Sequence, residues 1–248
     1  MAPMQINPPF GYTRVAPLRR DQKVRLLAPG EIPAFARKLN AIPISFTEFA
    51  PVARDYPIVF TSGDEGRSFA PVAVLGLAAG ENLYASGSGW AAGVYVPAYA
   101  RRFPFCMARV TLDKVEQQNR LICVETDHVD DKGGEPMFDA GGQPLEKWKA
   151  MERLLTEYEA DLERSRELCA ILGDYGLLEP FTMQATLNAG GAMHLTGMHR
   201  VAEKRLEALN AAQLKNLVKK GILGRVYAHL LSLENFARLL DRRAAAAA

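Results

Sequence analysis

The chain has 248 residues, 48% of them hydrophobic and 23% charged, enough apolar material for a full core. Its 30 Lys and Arg against 28 Asp and Glu leave a formal charge of +2, and the longest basic clusters are pairs: Arg101-Arg102, Lys219-Lys220 and Arg242-Arg243. That balance excludes the concentrated basic stripe of a nucleic-acid binder, and no apolar run approaches the ~18 residues of a membrane span.

The basic pairs read as solvated edges or helix C-termini, where cations favour the dipole. Three cysteines, Cys106, Cys123 and Cys169, each lie in an apolar segment and none shares a Cys-x-x-Cys spacing. They read as buried free thiols of a reducing compartment, which predicts a cytoplasmic location. The first ten residues hold Pro3, Pro8 and Pro9 and lack the apolar core of a signal peptide.

An extended segment over 1–34 is expected to precede a single α+β domain over 35–243, with a low-complexity alanine tail at 244–248. Within that domain, Asn40–Pro43 reads as extended and Ser45 as the cap of a short helix. Tyr56–Phe60 and Phe69–Leu77, joined by a polar glycine-containing loop, predict a hairpin. Asn82–Ala85 and Gly93–Val96 predict a second, and Pro97–Phe103 a helical turn with proline at its first position. Phe105–Leu112 and Arg120–Glu125 predict a third pair, and Asp127–Pro144 a loop.

The period then changes. Leu145, Trp148, Met151, Leu155, Tyr158, Leu162, Leu168 and Leu172 recur at three and four, a long amphipathic helix that should end near Gly173 and Gly176. On its other side Glu159 and Glu163 among Arg153, Arg164 and Arg166 read as a solvated face. A further hairpin is expected from Phe181–Leu187 and Met193–Val201. Helices follow at Glu203–Leu209 and Ala211–Lys219, and after Gly221 one last helix carries Val226, Leu230, Leu233, Phe236 and Leu240 on one stripe. Strands early and helices late, without βαβ alternation, give an α+β class: hairpins first, then helices packed on the sheet with one more hairpin.

Catalytic motifs are absent from this pattern. Gly87–Gly93 sits between strands and reads as a turn, and Gly87-Ser88-Gly89 lacks the spacing of a nucleophile elbow. No catalytic residue, metal or cofactor is assigned. His194 and His199, five apart on one strand, should point to opposite faces. Asp127-His128-Val129-Asp130-Asp131 gathers hard ligands and an imidazole in one loop. Tyr99, Arg101 and Arg102, with Tyr56, offer planar donors and rings for an anionic or aromatic group. The candidate ligand- or partner-binding residues are therefore Tyr56, Tyr99, Arg101, Arg102, Asp127, His128 and His229. The expected partner is a protein or a small molecule, with no nucleic acid and no membrane span.

Several segments, in order, resemble one bacterial family. They are Phe46–Phe49, Asp55–Phe60, Val96–Phe105 (Val-Pro-Ala-Tyr-Ala-Arg-Arg-Phe-Pro-Phe), Gly134–Asp139, Leu177–Pro180 and Tyr227–Phe236. This pattern resembles the SapC family of surface-layer-related proteins. The resemblance implies an accessory or binding protein for export or assembly of surface-layer or envelope protein, among relatives that accompany outer-membrane receptor and halogenase systems. Glu125-Thr126-Asp127-His128 departs from the family, which is more acidic there. The alternative is an enzyme acting on a small molecule or peptide through the Asp127–Asp131 loop and His229.

Overall fold

The computed structural model describes residues 5–87, 89–112, 115–116, 120–186 and 192–247. The first strands are β1 (Gln5–Asn7), β2 (Val15–Pro17), β3 (Lys23–Val24), β4 (Ala41–Pro43), β5 (Ile58–Thr61), β6 (Ala70–Val74), β7 (Ala85–Ser86) and β8 (Gly89–Trp90). They are followed by β9 (Phe105–Leu112), β10 (Val115–Glu116), β11 (Leu121–Glu125), β12 (Glu135–Pro136), β13 (Leu178–Thr186) and β14 (Ala192–Val201). Helices are α1 (Phe49–Ala53), α2 (Ala98–Arg101), α3 (Glu146–Asp174), α4 (Glu203–Glu207), α5 (Ala211–Lys219), α6 (Ile222–Ser232) and α7 (Asn235–Ala247). Antiparallel sheets with separate helices make the fold α+β, as expected. The chain forms two compact units: 1–36 with 98–159, and 37–97 with 160–248.

The first unit is built on an antiparallel sheet of order β1-β9-β11-β2, and β10 extends β9. Period-two alternation sends neighbouring residues to opposite faces, and both faces here are apolar. Phe105, Met107, Ile122 and Val124 join Trp148 and Leu155 of α3 in one cluster. Cys106, Ala108 and Cys123 join Tyr12, Phe103 and Phe35 in another. The amino-terminal segment thus supplies β1, β2 and the tyrosine that covers the second face. β3 pairs with β12, which gives the segment 127–144 a short ladder within what reads as loop.

The second unit carries an antiparallel sheet of order β13-β14-β5-β6-β4. Its edges are β13, which contains Pro180, and β4, which ends at Pro43. The β5–β6 and β13–β14 hairpins follow the sequence pattern, and β13 begins earlier, at Leu178. The turn Asn188–Gly191 lies outside the described residues. The expected pairing of 82–85 with 93–96 is not formed: β7 pairs with β8, two residues each, and 93–96 carries no strand. Amides of both segments are taken elsewhere: the Leu83 amide donates to Leu75 O and the Tyr95 amide to the Asp55 carboxylate. Ser45 caps as expected, its amide and hydroxyl both donating to Glu48 Oε2 at 2.8 and 2.9 Å.

α3 ends in a Schellman turn. Leu177 N–H donates to Leu172 O at 2.9 Å and Gly176 N–H to Gly173 O at 2.8 Å, with Gly176 at φ +62°. Leu172 and Leu177 are both fully buried, the apolar contact that accompanies such a cap. The single final helix expected after Gly221 is two helices. The i+3 bonds Leu233 N–H to Leu230 O and Phe236 N–H to Leu233 O tighten the chain there. Ser232 Oγ donates to His229 O at 2.6 Å and accepts from Ile58 N–H at 2.8 Å, while Asn235 reaches Ala53 O at 2.8 Å. The apolar spacing of three and four continues across the break, so periodicity alone cannot show it.

Gly176→Ala places a Cβ in the left-handed region and should cost about 1 kcal/mol, read as a lower urea midpoint at unchanged m-value. An unchanged midpoint would mean that the cap is not the terminator of α3.

Candidate functional site

In the first unit the guanidinium of Arg102 is 3% exposed. Its Cζ lies 4.2 Å from the ring centre of Tyr99, 4.9 Å from that of Tyr158 and 5.7 Å from that of Tyr12, and Glu159 stands 3.9 Å away. Arg102 therefore departs from the solvated edge expected of it, because the turn of α2 that leaves Arg101 exposed turns the next residue inward. Glu159 likewise leaves the solvated face assigned to it and pairs with both Arg102 and Arg120. The tyrosine hydroxyls donate to main chain: Tyr12 to Phe105 O at 2.7 Å and Tyr99 to Phe10 O at 2.6 Å. Burial raises both phenols above their ordinary pKa.

His128 lies against this group. Its ring is 4.7 Å from that of Phe103, and Nδ1 is 2.8 Å from Arg25 O. Asp127 is exposed and pairs with Arg14 at 3.2 Å. Asp130 turns its carboxylate to the amides of Gly133 and Lys132 at 2.9 and 3.1 Å. Asp127, Asp130 and His128 Nδ1 are thus directed to protein groups, and among the described residues no set of three His, Cys, Asp or Glu converges as metal ligands would.

Tyr56 and His229 belong to the second unit, and both are fully buried. Tyr56 accepts from the Trp90 indole and donates to Tyr95 O, each at 2.6 Å. His229 Nδ1 faces Ile58 O at 2.8 Å, and Nε2 accepts from Val201 N–H at 3.1 Å. A carbonyl only accepts, so the proton resides on Nδ1 and the ring is neutral. Burial lowers its pKa from 6.5 to about 4.

His194 and His199 do not point to opposite faces. The register shift between Phe181 and Met183 inserts one residue into β14, with Gly197 at φ +78°. His194 then opposes Gln184 and His199 opposes Pro180, four residues apart on β13 and hence on one face. Four residues of strand span roughly 13 Å, too far to share an ion.

Beyond this geometry, a family model described as SapC matches residues 22–239. The chain belongs to the SapC family. No curated protein and no solved structure matches it. Within this SapC-family chain, Tyr99, Arg102, Tyr158 and Glu159 fall inside the matched span and Tyr12 falls before it. Sequence reasoning missed Tyr12, Tyr158 and Glu159. Tyr158 was visible only as one more apolar position of α3, and nothing local ties Glu159 to an arginine 57 positions earlier. Cys106 and Cys123 prove to be register partners on β9 and β11, and burial raises their thiols to about 12 and about 11. A cleft of about 600 Å³ in the second unit is lined by none of the seven candidates.

Removing the Arg102 side chain leaves Glu159 with Arg120 as counter-charge and empties the tyrosine cage. Arg102→Ala should therefore cost about 3 kcal/mol of stability, and Arg102→Lys, lacking the planar fork, should recover only part of it. A fully stable Arg102→Ala protein in urea melts would show that the cage is not load-carrying.

For His229 the unfolded chain takes up a proton at its ordinary pKa of 6.5 and the folded chain only near 4. Stability is thus complete above the first value and should fall by on the order of 3 kcal/mol as the pH drops to the second. Urea melts of wild type and His229→Gln across that range should differ in slope. Parallel slopes would remove His229 as the source.

Proposed function

We propose that this SapC-family chain is a cytoplasmic accessory protein that binds a protein partner in the handling of surface-layer or envelope proteins. The observation that carries this reading is how the candidate side chains are used. Tyr56, Tyr99 and His229 are buried and make their hydrogen bonds to main chain or, for Tyr56, also to Trp90. Arg102 is buried against tyrosine rings and Glu159. An enzyme working through His229 would have to break both of its ring hydrogen bonds in a fully buried site. The candidates that remain accessible are Arg101 and Asp127, the latter with Arg14, charged groups suited to the polar rim of a contact.

Free buried thiols support a reducing compartment, and no helix among the described residues is long and apolar enough to cross a membrane. The resemblance to surface-layer-related proteins supplies the class of partner.

The full-length tagged chain, crosslinked in its native bacterium and purified, should retain an envelope or surface-layer protein in stoichiometric amount. Arg101→Glu combined with Asp127→Lys should lose that partner and keep the thermal midpoint, since both residues are exposed. Recovery of no envelope protein, or the same recovery with the double variant, overturns the reading.

A further inference from the structure

The second unit carries the cleft of about 600 Å³ noted above, a volume within the range of small-molecule sites. The loop Gly66–Phe69 between β5 and β6 forms one part of its lining. The end of α3, from Arg166 to Asp174, forms another, and Gly176 and Leu178 complete it. Ala170, Gly173 and Gly176 project little or nothing into this space.

The loop is held in shape before any ligand arrives. Asp64 accepts from the Ser68 amide and hydroxyl at 2.8 and 2.6 Å and from the Ser62 hydroxyl at 2.9 Å, while the Gly66 amide donates to Ser62 Oγ at 2.8 Å. The Ser68 bonds hold the Asp64 carboxyl down to about 2, so the loop stays braced at neutral pH. Arg67 is fixed through Nε, which donates to Asp64 O at 3.1 Å, and among the described residues its terminal nitrogens make no hydrogen bond.

Arg166 supplies a second guanidinium from the helix. Its partner Glu163 is exposed, in a surface pair that water already weakens and an incoming anion displaces at little cost. A helix C-terminus ordinarily repels anions. Here the carbonyls of Ile171, Leu172 and Gly173 are taken by the amides of Tyr175, Leu177 and Gly176, and Arg205 donates to Gly176 O at 2.9 Å. Asp174 is the one acid in the lining, against two arginines.

We propose that this cleft binds a small molecule bearing a carboxylate or phosphate on an apolar body, the anion held by Arg67 and Arg166 and the body resting on Phe69 and Leu178. The site is independent of the partner-binding reading, and either can fail alone.

Benzoate and phenyl phosphate are the probes, titrated into the full-length chain labelled for amide NMR. Saturable shifts should appear at 66–69 and 166–178. Arg67→Ala with Arg166→Ala should weaken binding by about tenfold or more. A Cβ built at Gly173 meets nothing within 4 Å, so Gly173→Leu should fill the cleft and abolish binding, while Gly173→Ala should bind and unfold no earlier than wild type. Response to phenyl phosphate alone identifies a phosphate ligand, and response to benzoate alone a carboxylate. The proposal is overturned by absence of saturable shifts with both probes, by equal shifts with uncharged benzamide, or by unchanged affinity in the double arginine variant. Both arginines are exposed, so that variant tests the site even where Gly173→Leu fails to fold.

Discussion

Taking a guanidinium out of water costs several kcal/mol unless the protein answers its charge and its donors. Arg102 has its charge answered by three tyrosine faces and one carboxylate, while its Nε finds no hydrogen-bond partner among the described residues. The rings and the carboxylate come from separate stretches of chain: Tyr12 from the amino-terminal segment, Tyr99 from its own helical turn, Tyr158 and Glu159 from α3. Each of these must be in place for the charge to be tolerated. Arg102 therefore fixes where the amino-terminal segment lies, and the same segment covers the Cys106–Cys123 face of the sheet. The polar cage and the apolar core of the first unit are parts of one arrangement.

The second unit solves a similar problem with neutral groups. Ser232 and His229 reach the main chain of β5, and His229 reaches that of β14 as well, while Asn235 holds the peptide groups of Ala53 and Tyr56. These bonds tie α6 and the start of α7 to named backbone atoms, so the helices are located by hydrogen bonds as well as by packing. Phe46 is gripped in a comparable way, with Arg164 and Arg225 at 4.1 and 4.2 Å from its ring centre. Polar side chains that invite a chemical reading from sequence serve here to set geometry.

The long periodic helix, its glycine end and most hairpins were readable because each is encoded by neighbours in sequence. The Leu172–Leu177 cap and the Ser45–Glu48 box need only a few residues of chain. What escaped is non-local. The α6–α7 break depends on Ser232 and Asn235 finding carbonyls and amides more than a hundred residues away. The shared face of His194 and His199 depends on one inserted residue that parity counting cannot see. The cage around Arg102 likewise joins residues 12, 102 and 158, and local pattern marked Arg102 as surface. The candidate set was thus legible as residue types, and which of them stay accessible was decided by the fold.

The outer strands of the second sheet bear on how this chain behaves in a crowded cell. An unpaired strand edge is a template on which a foreign strand can add, the first step of fibril growth. β13 is long enough to serve as one, yet Pro180 interrupts its row of N–H donors, and Glu179 beside it is half-exposed and charged. The opposite edge, β4, is only three residues long and ends in Pro43. Both margins thus carry features that discourage strand addition, a proline in each and a charged residue on the longer one.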